Sequence, residues 1–320
     1  SSAASDVYKR QVQSMQKRKI WENFLQWVLP CVLLVIALVL SIYDFNNKME
    51  IAIQTVVDDQ AEQIGLYYAA GVEDKLKALG NITDAVASIM AARLDRGEAF
   101  LNEKLDTLMK ASDAYMVVYC ATNGTGFLND RRQIDMTELN YYDSILGETP
   151  HYLFTRSDGI NGQMAFIYVC PITNSGNVNG YLLSYMEPAE MSDFFENSVY
   201  GDKAFFSLVD RNGTIMACYG ATQGTKILQN DFWNSLKGVA ESLGSWTLFD
   251  RQQQKGDNGI LHVNENGVGK ILCHFPIADT AWNLVVGIDE SYLSGIQQSF
   301  RGPIVDLIVK ISISIAAALI

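Results

Sequence analysis

Between residues 127 and 163 the sequence crowds together Arg131, Arg132, Asp135, Tyr141, Tyr142, Asp143, His151, Tyr152 and Arg156. These types suit reversible recognition of a small molecule. A guanidinium can grip a carboxylate through two parallel hydrogen bonds, and tyrosine offers rigid contact area with a polar tip. The same residues read equally as solvated loop charges and core tyrosines. Covalent and metal chemistry have no comparable grouping. His151, His262 and His274 are scattered, and no C-x-x-C, H-E-x-x-H, phosphate loop or G-x-S-x-G occurs. Ser14–Lys17 fits S-x-x-K, but it sits in a basic tail where chance explains it. No metal, no cofactor and no enzyme activity are expected of this stretch of chain. Cys120, Cys170, Cys218 and Cys273 fall in or at the ends of apolar runs. Four cysteines allow three pairings, and buried free thiols serve as well. Asn81, Asn123 and Asn212 open N-x-S/T triplets, two of which are also Asn-Gly-Thr turns.

Charge says where such a site would stand. The net charge is -12 over 320 residues, so the chain as a whole is no nucleic-acid binder. Residues 1–26 carry +3 and 303–320 carry none, which leaves -15 on 44–302. Trp27–Tyr43 (WVLPCVLLVIALVLSIY) has no charged residue, and with part of 20–26 it reaches the length of a bilayer span. Lys17-Arg18-Lys19 before it marks the cytoplasmic side. A signal peptide is the rival reading, but no small-residue cleavage site follows and the helical pattern continues. The end, PIVDLIVKISISIAAALI, reads as the start of a second span, with Asp306 and Lys310 paired at i, i+4. The expected organisation is a cytoplasmic tail at 1–20, a first membrane helix at 21–43 and an extracytoplasmic body at 44–302. A second, truncated membrane helix at 303–320 follows. Ser1–Gln11 reads like translated adapter sequence and is given no functional weight.

The body divides by period. Ile53, Val56, Val57, Ile64, Tyr68, Val72, Leu76, Leu79, Ile82, Val86 and Ile89 recur at steps of three or four, which predicts a long helix. Asp95-Arg96-Gly97 breaks it and Glu98–Lys110 resumes, so 44–112 reads as stalk and packing helices. Strands are predicted at Ala114–Cys120, Met164–Pro171, Gly180–Met186, Ala204–Asp210, Thr214–Tyr219, Ser245–Phe249, Lys270–Phe275 and Trp282–Ile288, with a helix at Asp231–Leu243. Helix-like residues close each set, at Ala189–Glu196 and Tyr292–Phe300. The two sets repeat one plan. AYMVVYCATNGT (114–125) matches AFFSLVDRNGT (204–214), and GQMAFIYVCPI (162–172) matches GVGKILCHFPI (267–277). The expected fold is α+β: a long N-terminal helix carrying two antiparallel-sheet modules, 113–200 distal to the membrane and 201–302 proximal.

In these features the chain resembles the double Cache family, extracytoplasmic sensors with two PAS-like modules, over about 44–302. The resemblance rests on the long helix after the first span, the pair Tyr141-Tyr142, and Pro171–Gly176 (PI-x-x-x-G). LVDRNGTIMA (208–217) and AWNLVVGID (281–289) complete it. It implies a small-molecule ligand between the distal sheet and the loop that crosses it, here 127–163. The candidate ligand residues are then Tyr141, Tyr142, Tyr168 and Tyr185, with Arg131, Arg132 or Arg156 as charged partner. Amino-acid-binding members carry Arg-x-Trp-Tyr and a later Asp on the last strand. Aligning their aromatic pair on Tyr141-Tyr142 sets Leu139 at the Arg position and brings the Asp near Tyr185. Both charged anchors are missing, so an amino acid is not expected to be held in that way. The resemblance further implies a plasma-membrane, multi-pass receptor that dimerises through its stalk. Its output would be a histidine kinase or diguanylate cyclase, a chemoreceptor being the alternative. A ligand-free adhesive ectodomain is the reading outside the family.

Overall fold

The apolar stripe at helical spacing becomes one long helix, α1 (Ser2–Ala91), in the computed structural model of the chain. The structure describes residues 2–93, 96–196, 203–220, 228, 231–240, 242–292, 306 and 309–311, with most α1 side chains from 33 onward. It divides into two units, 1–57 with 293–320 and 58–292. In the first unit, Lys48 pairs with Asp44 at 2.9 Å and Lys310 with Asp306 at 2.5 Å, the latter as its spacing predicts. Among the described residues no helix is long and apolar enough to cross a membrane. The expected span at 21–43 falls mostly on side chains outside the described residues. Most of 303–320, and of the helix-like Tyr292–Phe300, lies outside them as well.

In the second unit α1 buries Tyr68, Val72, Leu76, Leu79 and Val86, whereas Ile89 stays exposed at the margin of the stripe. Helix α2 (Glu98–Ala111) follows, opened by Gly97 at φ 83° and buried through Leu101, Leu105 and Leu108. The first module contains β1 (Met116–Ala121), β2 (Thr125–Leu128), β3 (Gln133–Asp135), α3 (Tyr142–Ile145), β4 (His151–Thr155), β5 (Ala165–Asn174) and β6 (Asn177–Met186). Its sheet runs β3-β2-β1-β6-β5-β4, antiparallel throughout. After α4 (Ser192–Glu196), the second contains β7 (Ala204–Asp210), β8 (Ile215–Gly220), α5 (Phe232–Lys237), α6 (Leu243–Lys255), β9 (Gly259–Glu265), β10 (Val268–Pro276) and β11 (Trp282–Asp289). Its sheet runs β8-β7-β11-β10-β9.

Without β3, the two orders are the same path, so the repeat read from the sequence is a structural repeat. Its signature turn recurs too: Gly124 and Gly213, in the two Asn-Gly-Thr turns, both take φ 87°. One face of each sheet packs on α1. Thr83 bonds Ser184 at 2.7 Å, Tyr168 bonds Asp84 at 2.9 Å, and the Tyr68 ring lies 4.5 Å from that of Phe206. The opposite faces hold separate apolar cores, one around Ile167, Leu183 and Tyr185, the other around Phe249, Leu261 and Val285.

Three local expectations fail for identifiable reasons. Ser245–Phe249 is no strand but lies inside α6: Ser242 caps it by accepting the Ser245 N–H, and Trp246, Phe249 and Gln253 bury one helical face. The single helix expected over Asp231–Leu243 is α5 alone, stopped where Ala240 bridges Val263. β2, β3, β4 and β9 are strands beyond those the sequence predicts, because each is short or half-exposed and its pattern is weak. Among the described residues Cys120, Cys170, Cys218 and Cys273 are free thiols.

Candidate ligand-binding site

Strand alternation decides which residues can meet. On β6, Tyr181, Leu183 and Tyr185 face away from α1, as do Ile167 and Val169 on β5 and Met116 and Val118 on β1. The segments 136–150 and 156–163, on either side of β4, cover this face. Met136, Tyr141 and Ile145 hold the first of them down by burying their side chains in the same core.

Beneath the covering segments lies a polar network. The Tyr115 hydroxyl donates to Asp158 Oδ2 at 2.8 Å, and the Tyr141 hydroxyl donates to the Asp158 carbonyl at 2.8 Å. The Tyr141 and Tyr185 hydroxyls share a bond of 3.1 Å. Asp158 Oδ1 accepts the backbone N–H groups of Ile160, Asn161 and Gly162 at 2.9, 2.7 and 2.8 Å. Burial raises the Asp158 carboxyl, yet these donors together outweigh it and hold the group below its ordinary value. It is therefore a carboxylate, although the residue is fully buried. Burial pushes Tyr141 up to about 12 and raises Tyr115 and Tyr185, so all three phenols keep their protons.

Beside this network opens a cavity of about 510 Å³. Ile134, Leu139 and Ile160 supply apolar wall. Arg132, Asp135 and Glu138 supply charge, and Asn140, Ser157 and Gly159 complete the lining. A concavity of this size, lined about equally by polar and apolar groups, has room for a small polar organic molecule.

Of the residues singled out in the sequence, Tyr141 and Tyr185 meet through their hydroxyls in the core, and Arg132 lines the cavity. The Arg132 guanidinium is already engaged by Asp130 at 2.6 Å. Arg131 turns away to grip Asp106 on α2 through both nitrogens, at 3.2 and 2.7 Å. Tyr142 is half-buried against the same core. Tyr168 lies on the opposite face of the sheet, bonded to Asp84 of α1, so it does not join the others. Arg156 is exposed beyond β4. Leu139 lines the cavity, and Tyr185 is buried in the core against which Leu139 packs. Tyr115 and Asp158 were missed. Asp-Gly at 158–159 is a turn signal, but nothing local tells that the carboxylate turns inward.

No family model and no curated protein matches the sequence. By structure, the two-module fold on a long helix is that of ligand-binding sensor domains of bacterial receptors, the double Cache architecture. One is the ligand-binding domain of the Pseudomonas fluorescens chemoreceptor CtaA, solved with L-isoleucine, at TM-score 0.61 and 12% identity over 77% of this chain and 97% of that one. Another is the extracellular domain of a protein described as a histidine kinase, rpHK1S-Z16, at TM-score 0.56 and 16% identity over 75% and 98%. A third is the ligand-binding domain of the Campylobacter jejuni chemoreceptor Tlp3, solved with 4-methylisoleucine, at TM-score 0.55 and 15% identity over 75% and 93%.

Proposed function

We propose that this chain is the extracytoplasmic ligand-sensing region of a bacterial membrane receptor, with small-molecule binding at the cavity of the first module. The observation that carries it is the 510 Å³ cavity beside the Tyr115–Asp158–Tyr141–Tyr185 network, on the loop-covered face of the distal sheet. Solved domains of the same fold bind amino acids, which supports a small ligand. Leu139 and Tyr185 argue that it is held differently here. Arg132 is the contact we assign from the sequence candidates, with Asp135 and Glu138 added from the lining; Tyr141 and Tyr185 support the wall from the core behind it. Binding acts by differential affinity for two arrangements of the module on α1, which carries the signal.

Membrane helices at 21–43 and 303–320, dimerisation through α1 and a cytoplasmic output complete the reading. The output is a histidine kinase or a diguanylate cyclase. A chemoreceptor output is the second reading, and it is supported by the chemoreceptor domains that share the fold.

The test is a thermal-shift screen of the full chain in detergent against a metabolite library. A binder at a hundred times its Kd should add about 2.7 kcal/mol of stability. Asn140→Trp, which narrows the cavity mouth, should remove that shift while moving the unliganded midpoint little. If no compound raised the midpoint, or if Asn140→Trp left the shift intact, sensing at this cavity would be refuted.

A further inference from the structure

His262 stands on β9 with a carboxylate at each ring nitrogen. Nδ1 is 2.8 Å from Glu290 Oε1, and Nε2 is 3.2 Å from Asp58 Oδ1. A neutral imidazole has one N–H and one lone pair, so it can serve only one of these oxygens. The other would then face a lone pair. With both carboxyls ionised, an imidazolium answers both: it donates to Glu290 and lends its charge to Asp58, whose carboxyl burial raises against the lowering pull of His262. The Asp58 contact lies off hydrogen-bond geometry, and Asp58 Oδ1 is buried with no hydrogen-bond donor. A positive charge on His262 is what compensates that oxygen.

The surroundings agree. α1 presents Asp58 and Glu62 to this corner, with exposed Asp59 next to Asp58, and Glu290 follows β11. β10 contributes Cys273, whose thiol burial pushes up, so it stays neutral. Lys270 is engaged elsewhere: it pairs with Glu265 at 2.8 Å and lies over the Phe205 ring, on the face that carries the second core. The charged residues of α6, Asp250, Arg251 and Lys255, belong to a helix packed on that same far face. The groups named around the imidazole are therefore carboxylates and a neutral thiol.

Position gives this cluster a consequence. Asp58 is the first residue of the unit 58–292, and Glu290 lies just past its last strand. We propose that doubly protonated His262 is a proton-dependent latch between α1 and the end of β11, making external pH a second input that needs no occupant in the cavity. Loss of the ring proton to solvent frees one carboxylate and unfastens the two ends of the unit from each other. Since the latched form exists only with the proton bound, it is present at lower pH and lost as pH rises.

The experiment is imidazole NMR of the full chain in detergent micelles, with the His262 signals assigned by their absence in His262→Gln. Thermal midpoints are taken from pH 6 to 9 alongside. Both ring nitrogens should be protonated at pH 7. Across the range wild type should lose about 3 °C more than His262→Gln, in which the buried thiols and His274 still contribute their own pH dependence, and Glu290→Gln should fall between the two. If His262→Gln did not fold, the His262 signals would be assigned by elimination with His151→Gln and His274→Leu, and they and Glu290→Gln would still decide. A neutral ring at pH 7, or an unchanged pH slope in the variants, would overturn the latch.

Discussion

Asp158 and His274 show opposite ways of burying an ionisable group. Asp158 is surrounded by donors and stays charged. Because its folded value is lowered, it stabilises the fold above the ordinary carboxyl range and that contribution is lost as pH falls through the lower folded value. Asp158→Ala should cost about 2 kcal/mol in urea denaturation, since Tyr115 and three backbone N–H groups lose their acceptor. Ligand-induced stabilisation should disappear with it, because the wall formed by Ser157, Gly159 and Ile160 loosens.

His274 is buried with neither ring nitrogen in hydrogen-bond geometry. Burial lowers it to about 4, against smaller upward pulls from the Phe249 carbonyl and the Asn283 side chain. It is neutral in the fold, while the unfolded chain takes up a proton below the ordinary histidine value near 6.5. Stability should therefore drop as pH falls from about 6.5 to 4, by as much as roughly 3 kcal/mol. His274→Leu, which removes two unsatisfied polar atoms, should flatten that acid limb. Denaturation series at pH 7, 5.5 and 4.5 check both statements.

At the scale of elements, α1 does more than present an apolar stripe. Its glycines let aromatic rings of the sheets approach the helix backbone. A Cβ at Gly65 would stand 2.0 Å from the Phe275 ring, and one at Gly80 would stand 2.9 Å from the Tyr152 hydroxyl. In an isolated helix, glycine to alanine stabilises by about 1 kcal/mol. Here Gly65→Ala should destabilise by about 1–3 kcal/mol, because Phe275 is fully packed and has no room to turn. The change should appear as a lower urea midpoint at unchanged helical content. The apolar face of α1 was legible from its period, and so were the long strands β1, β5, β6, β7, β10 and β11. Helix α6 was not, because Trp, Thr and Phe in SWTLF favour strand locally. The Ser242 cap and the burial of Trp246 and Phe249 override that preference.

At the scale of the molecule, the two sheets share one strand order and lean on one helix, and they differ in what covers their outer faces. The first is crossed by an irregular chain with a cavity, the second by α5 and α6. The proposed topology makes a direct prediction. A periplasmically active reporter enzyme fused near residue 200 should be active, and a cytoplasm-dependent reporter at the same point should be silent. The reverse pattern would remove the receptor reading while leaving the fold intact.

The amino-acid sequence alone determined the α+β class, the long helix, the internal repeat and the absence of metal or nucleophile motifs. These follow from period and residue type, which are local properties of a chain. It also brought Tyr141, Tyr142 and Tyr185 into view as candidates. Only the tertiary structure decided that Tyr168 faces α1, that Arg131 is taken by Asp106, and that Tyr115 and Asp158 complete the network. The physical reason is that a strand shows its two faces to different neighbours, and a loop side chain finds its partner across sequence distances that no local pattern records.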